Sequence, residues 1–197
     1  PFRQIAGRLR RNVSQTAATT GKRARLEITG EHVQLDSDVL ERLTEPLLHL
    51  LRNAVDHGIE APSVRVARGK PAAGTLLLSA AQESSQVVIT LVDDGSGIDA
   101  AAVRRKALER GIVRSDEELS DREAIQLIFT EGFSTARTVT DVSGRGVGLD
   151  VVVQSMDRLS GLIEAETIPG AGTKFTLQLP LTLAIIPVLM FEVAGAV

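Results

Sequence analysis

Strand-like segments that come in adjacent pairs, helical segments set between those pairs, and a composition with 43% hydrophobic and 24% charged residues together predict the fold class. It is an α/β two-layer sandwich: a mixed, mainly antiparallel sheet covered on one face by helices. At 197 residues the chain is long enough for one domain with a real core and a fragment of a second.

The elements follow in order. Phe2, Ile5, Leu9 and Val13 recur at helical spacing and Gly21 follows as a stop, so residues 2–20 read as a helix entering from an upstream element. "RARLEITG" alternates like a strand. "LDSDVLERL" starts a short helix, and Pro46, which has no N–H to give, predicts a fresh start for the next, "PLLHLLRNAVDHG", which Gly58 can end. "GTLLLSAA" and "QVVITLVD" read as two strands joined by the polar turn "QESS". "DAAAVRRKALERG" has Asp99 as its N-cap and Gly111 as its stop, and "SDREAIQLIF" carries a capping box of Ser120 and Glu123. Residues 130–148 are polar and glycine-rich without period, which predicts a long functional or disordered loop. "GLDVVVQSMDRLSG" returns to helix, with Leu149, Val152, Val153, Met156 and Leu159 on one side, and "GLIEAETIPGAGTKFTLQLP" reads as a hairpin.

Composition removes several functions. With no Cys there are no disulfides or thiolate metal sites. With 3% aromatic residues and no Trp or Tyr there is no stacking platform for single-stranded nucleic acid. The net charge of -3 hides a basic start: residues 1–30 carry seven Lys or Arg against one acid, which leaves -9 for the rest. That start fits a solvated helix and linker better than an arm for nucleic acid or membrane. The longest apolar run, "LTLAIIPVLMF", is too short to span a bilayer and contains Pro187, so no membrane insertion is expected. A chain that opens without Met and stops in a Val-rich, strand-like stretch reads as a segment of something longer.

Three stretches carry chemistry. On the helix after Pro46, Leu47, Leu50, Leu51 and Ala54 form an apolar stripe, while His49, Asn53, Asp56 and His57 gather on the far side. A solvated face would more often carry Lys and Glu; four short side chains able to bind metal or move protons suggest a site. "LVDDGSGID" sits at a strand end, where Asp93 and Asp94 can accept hydrogen bonds and Gly95 and Gly97 let a flat ligand approach the backbone; a plain tight turn would look the same. "GRGVGLD" lacks both a preceding strand and the G-x-G-x-x-G spacing of a dinucleotide fingerprint, and no P-loop motif occurs anywhere. What survives is a glycine-rich loop opening a helix, whose free N–H groups would favour phosphate.

The order of these stretches is more telling than any one of them. "HLLRNAVDHG", "DDGSGI", "IFTEGFST", "SGRGVGLDVV" and "GTKFTLQLP" resemble the N box, first glycine box, F box, second glycine box and closing strand of the GHKL superfamily of ATP-binding domains, also called the Bergerat fold. Within it, "LLHLLRNAVDHGIE", "GFSTARTVTDVSGRGVGLDVV" and "LPLTLAIIPVLM" resemble the CheA family of chemotaxis histidine kinases; a CheA-like hybrid kinase of a type IV pilus system would look the same. By this resemblance, residues 1–22 are the end of a dimerisation helix with its linker, 23–180 the kinase ATP-binding domain, and 181–197 the start of an SH3-like, CheW-like receptor-coupling domain.

The resemblance also implies roles. Asp93 accepts the adenine amino proton, and Gly95, Gly97 and Ile98 wall the purine, with Thr173 on the strand beneath it. Asn53 holds Mg²⁺ against the phosphates of ATP, Asp56 lies beside it, and His57 and Lys106 contact phosphate. Phe133, Ser134, Thr135, Gly144, Arg145, Gly146, Val147, Gly148 and Leu149 belong to a lid over the triphosphate. Catalysis falls to His49, which orients and deprotonates the acceptor imidazole, and to Lys106, which helps neutralise the γ-phosphate.

None of His32, His49 and His57 lies on a phosphotransfer bundle, so the acceptor is a histidine on a separate phosphotransfer (HPt) domain. Further partners implied are a CheW-like adaptor, chemoreceptors and a response regulator, for a cytoplasmic protein that is a homodimer at full length. Two other functions would use similar boxes: a GHKL ATPase that drives a clamp, and a nucleotide-independent docking scaffold. His49 in a position where many relatives carry Glu argues against the first, and intact boxes against the second. "APSVRVAR" is more apolar than the usual charged stretch of CheA proteins, which puts the contacts of that loop in doubt.

Overall fold

The computed structural model describes residues 1–114, 119–130, 133 and 149–181. Helix α1 spans Arg3–Thr19, strand β1 Ala24–Thr29, α2 Ser37–Asn53, α3 Pro62–Ala67, β2 Gly74–Glu83, β3 Gln86–Asp93, α4 Ala100–Glu109, α5 Asp121–Gln126, α6 Asp150–Arg158, β4 Leu162–Ile168 and β5 Gly172–Pro180. These five strands form one sheet in the order β1-β2-β3-β5-β4. The β1–β2 pair is parallel and the three other pairs are antiparallel, as the hairpin pattern predicts. Burial alternates along β2, β3 and β5. Leu76, Leu78, Val87, Ile89, Leu91, Phe175, Leu177 and Leu179 point into the core, while the other face of the sheet is open to solvent.

The helices supply the other layer. Phe2, Ile5, Leu9, Val13 and Ala17 bury the stripe of α1 in the same core as α2 and the sheet. Leu40, Leu43, Leu47, Leu50 and Leu51 do the same for α2, and Val152 and Met156 for α6. Local caps are where the sequence places them. Asp36 Oδ1 accepts the Asp38 N–H at 2.8 Å, Asp99 Oδ1 accepts the Ala101 N–H at 2.9 Å, and Ser120 and Glu123 form the reciprocal box at the start of α5.

Pro46 does not restart a helix, contrary to the sequence expectation: α2 runs unbroken from Ser37 to Asn53 with Pro46 inside it. A proline in a helix interior costs about 3 kcal/mol, yet each fully buried leucine contributes about 1.5–3 kcal/mol. Leu43, Leu47, Leu50 and Leu51 are all fully buried on a line that runs past the proline. The summed burial therefore outweighs the lost backbone bond. The helix then leaves α geometry in a single π-helical turn, Ala54–Gly58, directly beyond Asn53. No helix among the described residues is long and apolar enough to cross a membrane.

Candidate functional site

One end of the site grows from the last residue of β3. Asp93 pairs in register with Thr173 of β5 and is 3% exposed, a carboxyl held almost out of water. Burial pushes its pKa up to about 6; the backbone N–H groups of Gly95 and Thr173 resist that rise, the neighbouring Asp94 adds to it, and Lys70 opposes it. The Gly95 N–H donates to Asp93 Oδ1 at 2.9 Å. The Ser96 N–H then donates to the Gly58 carbonyl at 2.9 Å, which ties the end of the π-turn to this loop. The approach is close enough that a Cβ at Gly95 would overlap the Gly58 carbonyl oxygen. Gly97 takes φ +73°, and a side chain there would meet the Ile168 carbonyl at 2.6 Å. The Ile98 N–H is fixed by Thr167 Oγ1 at 2.9 Å, and that hydroxyl donates on to the Gly172 carbonyl at 2.9 Å. Asp93, Gly95, Gly97, Ile98 and Thr173 are thus brought together by the sheet and one tight turn.

The second end lies on α2 and the π-turn. His49 is half-buried, and its Nε2 finds no hydrogen-bond partner among the described residues. Burial lowers its pKa below 6.5, Arg52 and His57 lower it further, and the Asp150 carboxylate opposes them. The imidazole is therefore neutral at pH 7, with a lone pair or a proton to offer. Asn53, the last α-helical residue, is half-exposed. Asp56 and His57 are exposed, with His57 Nε2 3.6 Å from Asp56 Oδ2. A π-turn leaves carbonyls without their usual partners. Here the ammonium of Lys22 caps them, donating to Val55 O at 3.1 Å and to Asp56 O.

Lys106 stands over the Phe133 ring, its Nζ 4.9 Å from the centroid, and Arg110 Nη1 donates to the Phe133 carbonyl at 2.6 Å. Burial and then Arg110 lower the Lys106 pKa. Leu149 opens α6, its carbonyl accepting the N–H groups of Val152 and Val153. Ser134, Thr135, Gly144, Arg145, Gly146, Val147 and Gly148 lie outside the described residues, as does the segment beyond Leu181 that the sequence resemblance reads as the start of a coupling domain.

Sequence reasoning missed four features: the π-turn, Lys22 as its cap, and the residues Arg65 and Lys70 behind Asp94. Arg65 is fully buried on α3, within the stretch whose contacts the sequence left in doubt. Pro62 at the first turn of α3 is the one local signal that a helix begins there. Nothing local says that its arginine turns inward.

A mainly antiparallel sheet under one layer of helices, with a buried carboxyl at a strand end beside a polar helix end, makes a two-layer α/β sandwich with its candidate site at one end of the sheet. The chain belongs to the histidine kinase-, DNA gyrase B- and HSP90-like ATPase family, whose model matches residues 38–183. It is 49% identical over 197 residues to the chemotaxis protein CheA of Treponema pallidum, covering 100% of this chain and 24% of that protein. It is also 46% identical over 195 residues to CheA of Rhizobium meliloti, covering 99% and 26%. The chain thus spans about a quarter of the length of these curated relatives. Among solved structures, the catalytic domain of histidine kinase ThkA superposes with a TM-score of 0.54 at 17% identity, over 89% of this chain and 92% of that one. Full-length ShkA in complex with AMPPNP gives 0.58 at 21%, over 95% and 32%. At these identities the structural likenesses establish the fold.

Proposed function

We propose that this chain is the ATP-binding catalytic domain of a CheA-like histidine kinase, which passes the ATP γ-phosphoryl group to a histidine on a separate phosphotransfer domain. The observation that carries the reading is a pair of poised groups. A buried carboxyl, Asp93, stands at a tight glycine turn, and a neutral imidazole, His49, whose Nε2 has no hydrogen-bond partner among the described residues, stands on the helix of Asn53. The similarity to CheA proteins supports it further.

In this reading Asp93 accepts the exocyclic amino proton of adenine, Ile98 covers one face of the ring, and Thr173 lies beneath. Lys106 and His57 balance phosphate charge. A metal ion at the site would be held by the amide oxygen of Asn53, the half-exposed last residue of α2, together with the phosphates. Mg²⁺ there would supply charge neutralisation on the phosphates. In the transfer, the bond from the γ-phosphorus to the bridging oxygen breaks as a bond to the acceptor imidazole nitrogen forms. ADP leaves with the bridging oxygen, and His49 takes the proton that the other ring nitrogen of the acceptor imidazole gives up. The domain would serve a dimeric cytoplasmic kinase that meets receptors and a CheW-like adaptor through its coupling domain and hands phosphate to a response regulator.

The test is transfer in trans. With radiolabelled ATP the chain alone should stay unlabelled, and label should appear on a cognate CheA phosphotransfer domain only when both are present. Steady hydrolysis without any acceptor would instead mark a clamp-type ATPase, and no nucleotide binding at all would mark a scaffold.

A further inference from the structure

Four charged side chains stand behind the turn that carries Asp93, and the proposed chemistry uses none of them. Arg65 is 0% exposed and makes four bonds. Its Nε donates to the Pro71 carbonyl at 2.7 Å, and its Nη1 donates to Glu60 Oε2 at 3.0 Å and to the Asp94 carbonyl at 3.1 Å. Its Nη2 donates to Asp94 Oδ2 at 2.9 Å. Lys70 Nζ reaches Glu60 Oε1 at 3.1 Å, the Asp94 carbonyl at 2.8 Å and the Gly95 carbonyl at 2.7 Å. Asp94 Oδ1 takes the Thr75 N–H at 2.9 Å, so the loop is pinned to β2 as well.

Arg65 and Lys70 stand against Asp94 and Glu60, with the exposed Arg68 a third cation 3.5 Å from Glu60 Oε1, and every hydrogen bond of Arg65 but one lands on the Asp94 residue or on Glu60. Burying such a group is a poor route to stability, since well-packed apolar side chains of similar volume usually do as well or better. Apolar side chains cannot, however, hold the two carbonyls that follow Asp93, nor can they place a positive charge beside its carboxyl.

We infer that Arg65 and Lys70 are positioning residues for the nucleotide base. Arg65 and Lys70 both fix the course of the Asp94–Gly95 backbone through its carbonyls, and the Lys70 ammonium adds a contribution that favours the charged form of the Asp93 carboxyl, the form that accepts the hydrogen bond of an amino group. This rests on the proposed function for its ligand, though its electrostatic half does not. The groups that face Asp93 are few. Asp94 lies on its own loop, Lys70 comes from the segment between α3 and β2, and β5 offers only the Thr173 backbone N–H. Gly58, which the π-turn presents to this loop, has no side chain to titrate.

The test uses Lys70→Met, which keeps the length of the stem and drops the charge, and Lys70→Arg, which keeps the charge. Lys70 is partly exposed, so both variants should fold, and a melting curve checks that. Two readouts are taken from pH 5 to 8.5: the carboxyl carbon shift of Asp93 by NMR in the ligand-free chain, and ADP affinity by calorimetry. For Lys70→Met the Asp93 titration moves to higher pH, and the loss of ADP affinity against wild type is about two- to fivefold larger at pH 6 than at pH 8.5. Lys70→Arg stays with wild type in both. An unmoved Asp93 titration in Lys70→Met overturns the inference, because a purely structural lysine would change the melting point and leave that midpoint in place. A wild-type chain that binds no ADP at any pH would sink the nucleotide reading, while the NMR midpoint would still decide the role of Lys70.

Discussion

Replacing Asp93 with asparagine should make the ligand-free protein more stable above neutral pH, and the gain should depend on pH in a defined way. The folded-state pKa of Asp93 is about 6, against 3.8 for an unperturbed carboxyl, because the group is buried. A raised carboxyl pKa means the folded state holds its proton more tightly than the unfolded state does. Between pH 4 and 6 folding therefore takes up a proton, and wild-type stability from this group is lost as pH rises through that window. A difference of roughly two pK units corresponds to about 3 kcal/mol, fully expressed above pH 7. The amide introduced by Asp93→Asn does not titrate, so the stability of this variant minus that of wild type isolates the contribution of the carboxyl. Urea unfolding at a series of pH values should show this difference flat below about pH 4, rising between 4 and 6, and level above 7, about 3 kcal/mol higher than at its acid end. In melting experiments the same change is about 6–12 °C for a chain of this size. A difference that stays constant with pH, or that falls as pH rises, would refute the claim that the buried carboxyl is a strained, ligand-directed group. The sign is informative in itself: a side chain that the fold would be more stable without is retained for what it binds.

Two further predictions concern the rest of the site. His49→Gln should lower kcat for transfer to a phosphotransfer domain by a factor of about 10² or more while KM for ATP stays within about twofold, as loss of a proton acceptor requires. Because burial lowers the His49 pKa, the acid-side fall of wild-type kcat that this group causes should lie at lower pH than an unperturbed imidazole would give. Gly95→Ala should unfold more easily and lose nucleotide binding together, since its Cβ overlaps the Gly58 carbonyl, and circular dichroism melting with an ADP titration would show both.

What could be read from the sequence was whatever depends on near neighbours along the chain. The Asp99 cap and the Ser120–Glu123 box are set by residues within three or four positions and appear where the pattern placed them, and the turn between β2 and β3 falls within the polar stretch read as a turn, shortened to two residues because β2 runs on to Glu83. The alternation of β3 and β5 likewise marked their buried faces. Pro46 was misread because local chemistry says stop, whereas the leucines on either side, buried against elements distant in sequence, keep the helix whole. The π-turn has no signature in "AVDHG"; it becomes intelligible only with Lys22, more than thirty residues away, on its carbonyls. Asp93, Gly95 and Gly97 could be singled out by type and spacing. That Arg65 and Lys70 stand behind them could not, since their partners are fixed by how the segment between the π-turn and β2 folds back onto the end of β3.

The most direct measurement of the central claim is Mg²⁺-dependent ATP binding by calorimetry, for the native chain and for Asp93→Asn, at pH 8, where Asp93 is ionised. Loss of a charge-assisted hydrogen bond of about 1.5–3 kcal/mol weakens binding roughly tenfold to a hundredfold. The account predicts saturable binding by the native chain and a loss of that size in a variant that is otherwise more stable. Binding that is indifferent to Asp93, or no binding by the native chain, would contradict it.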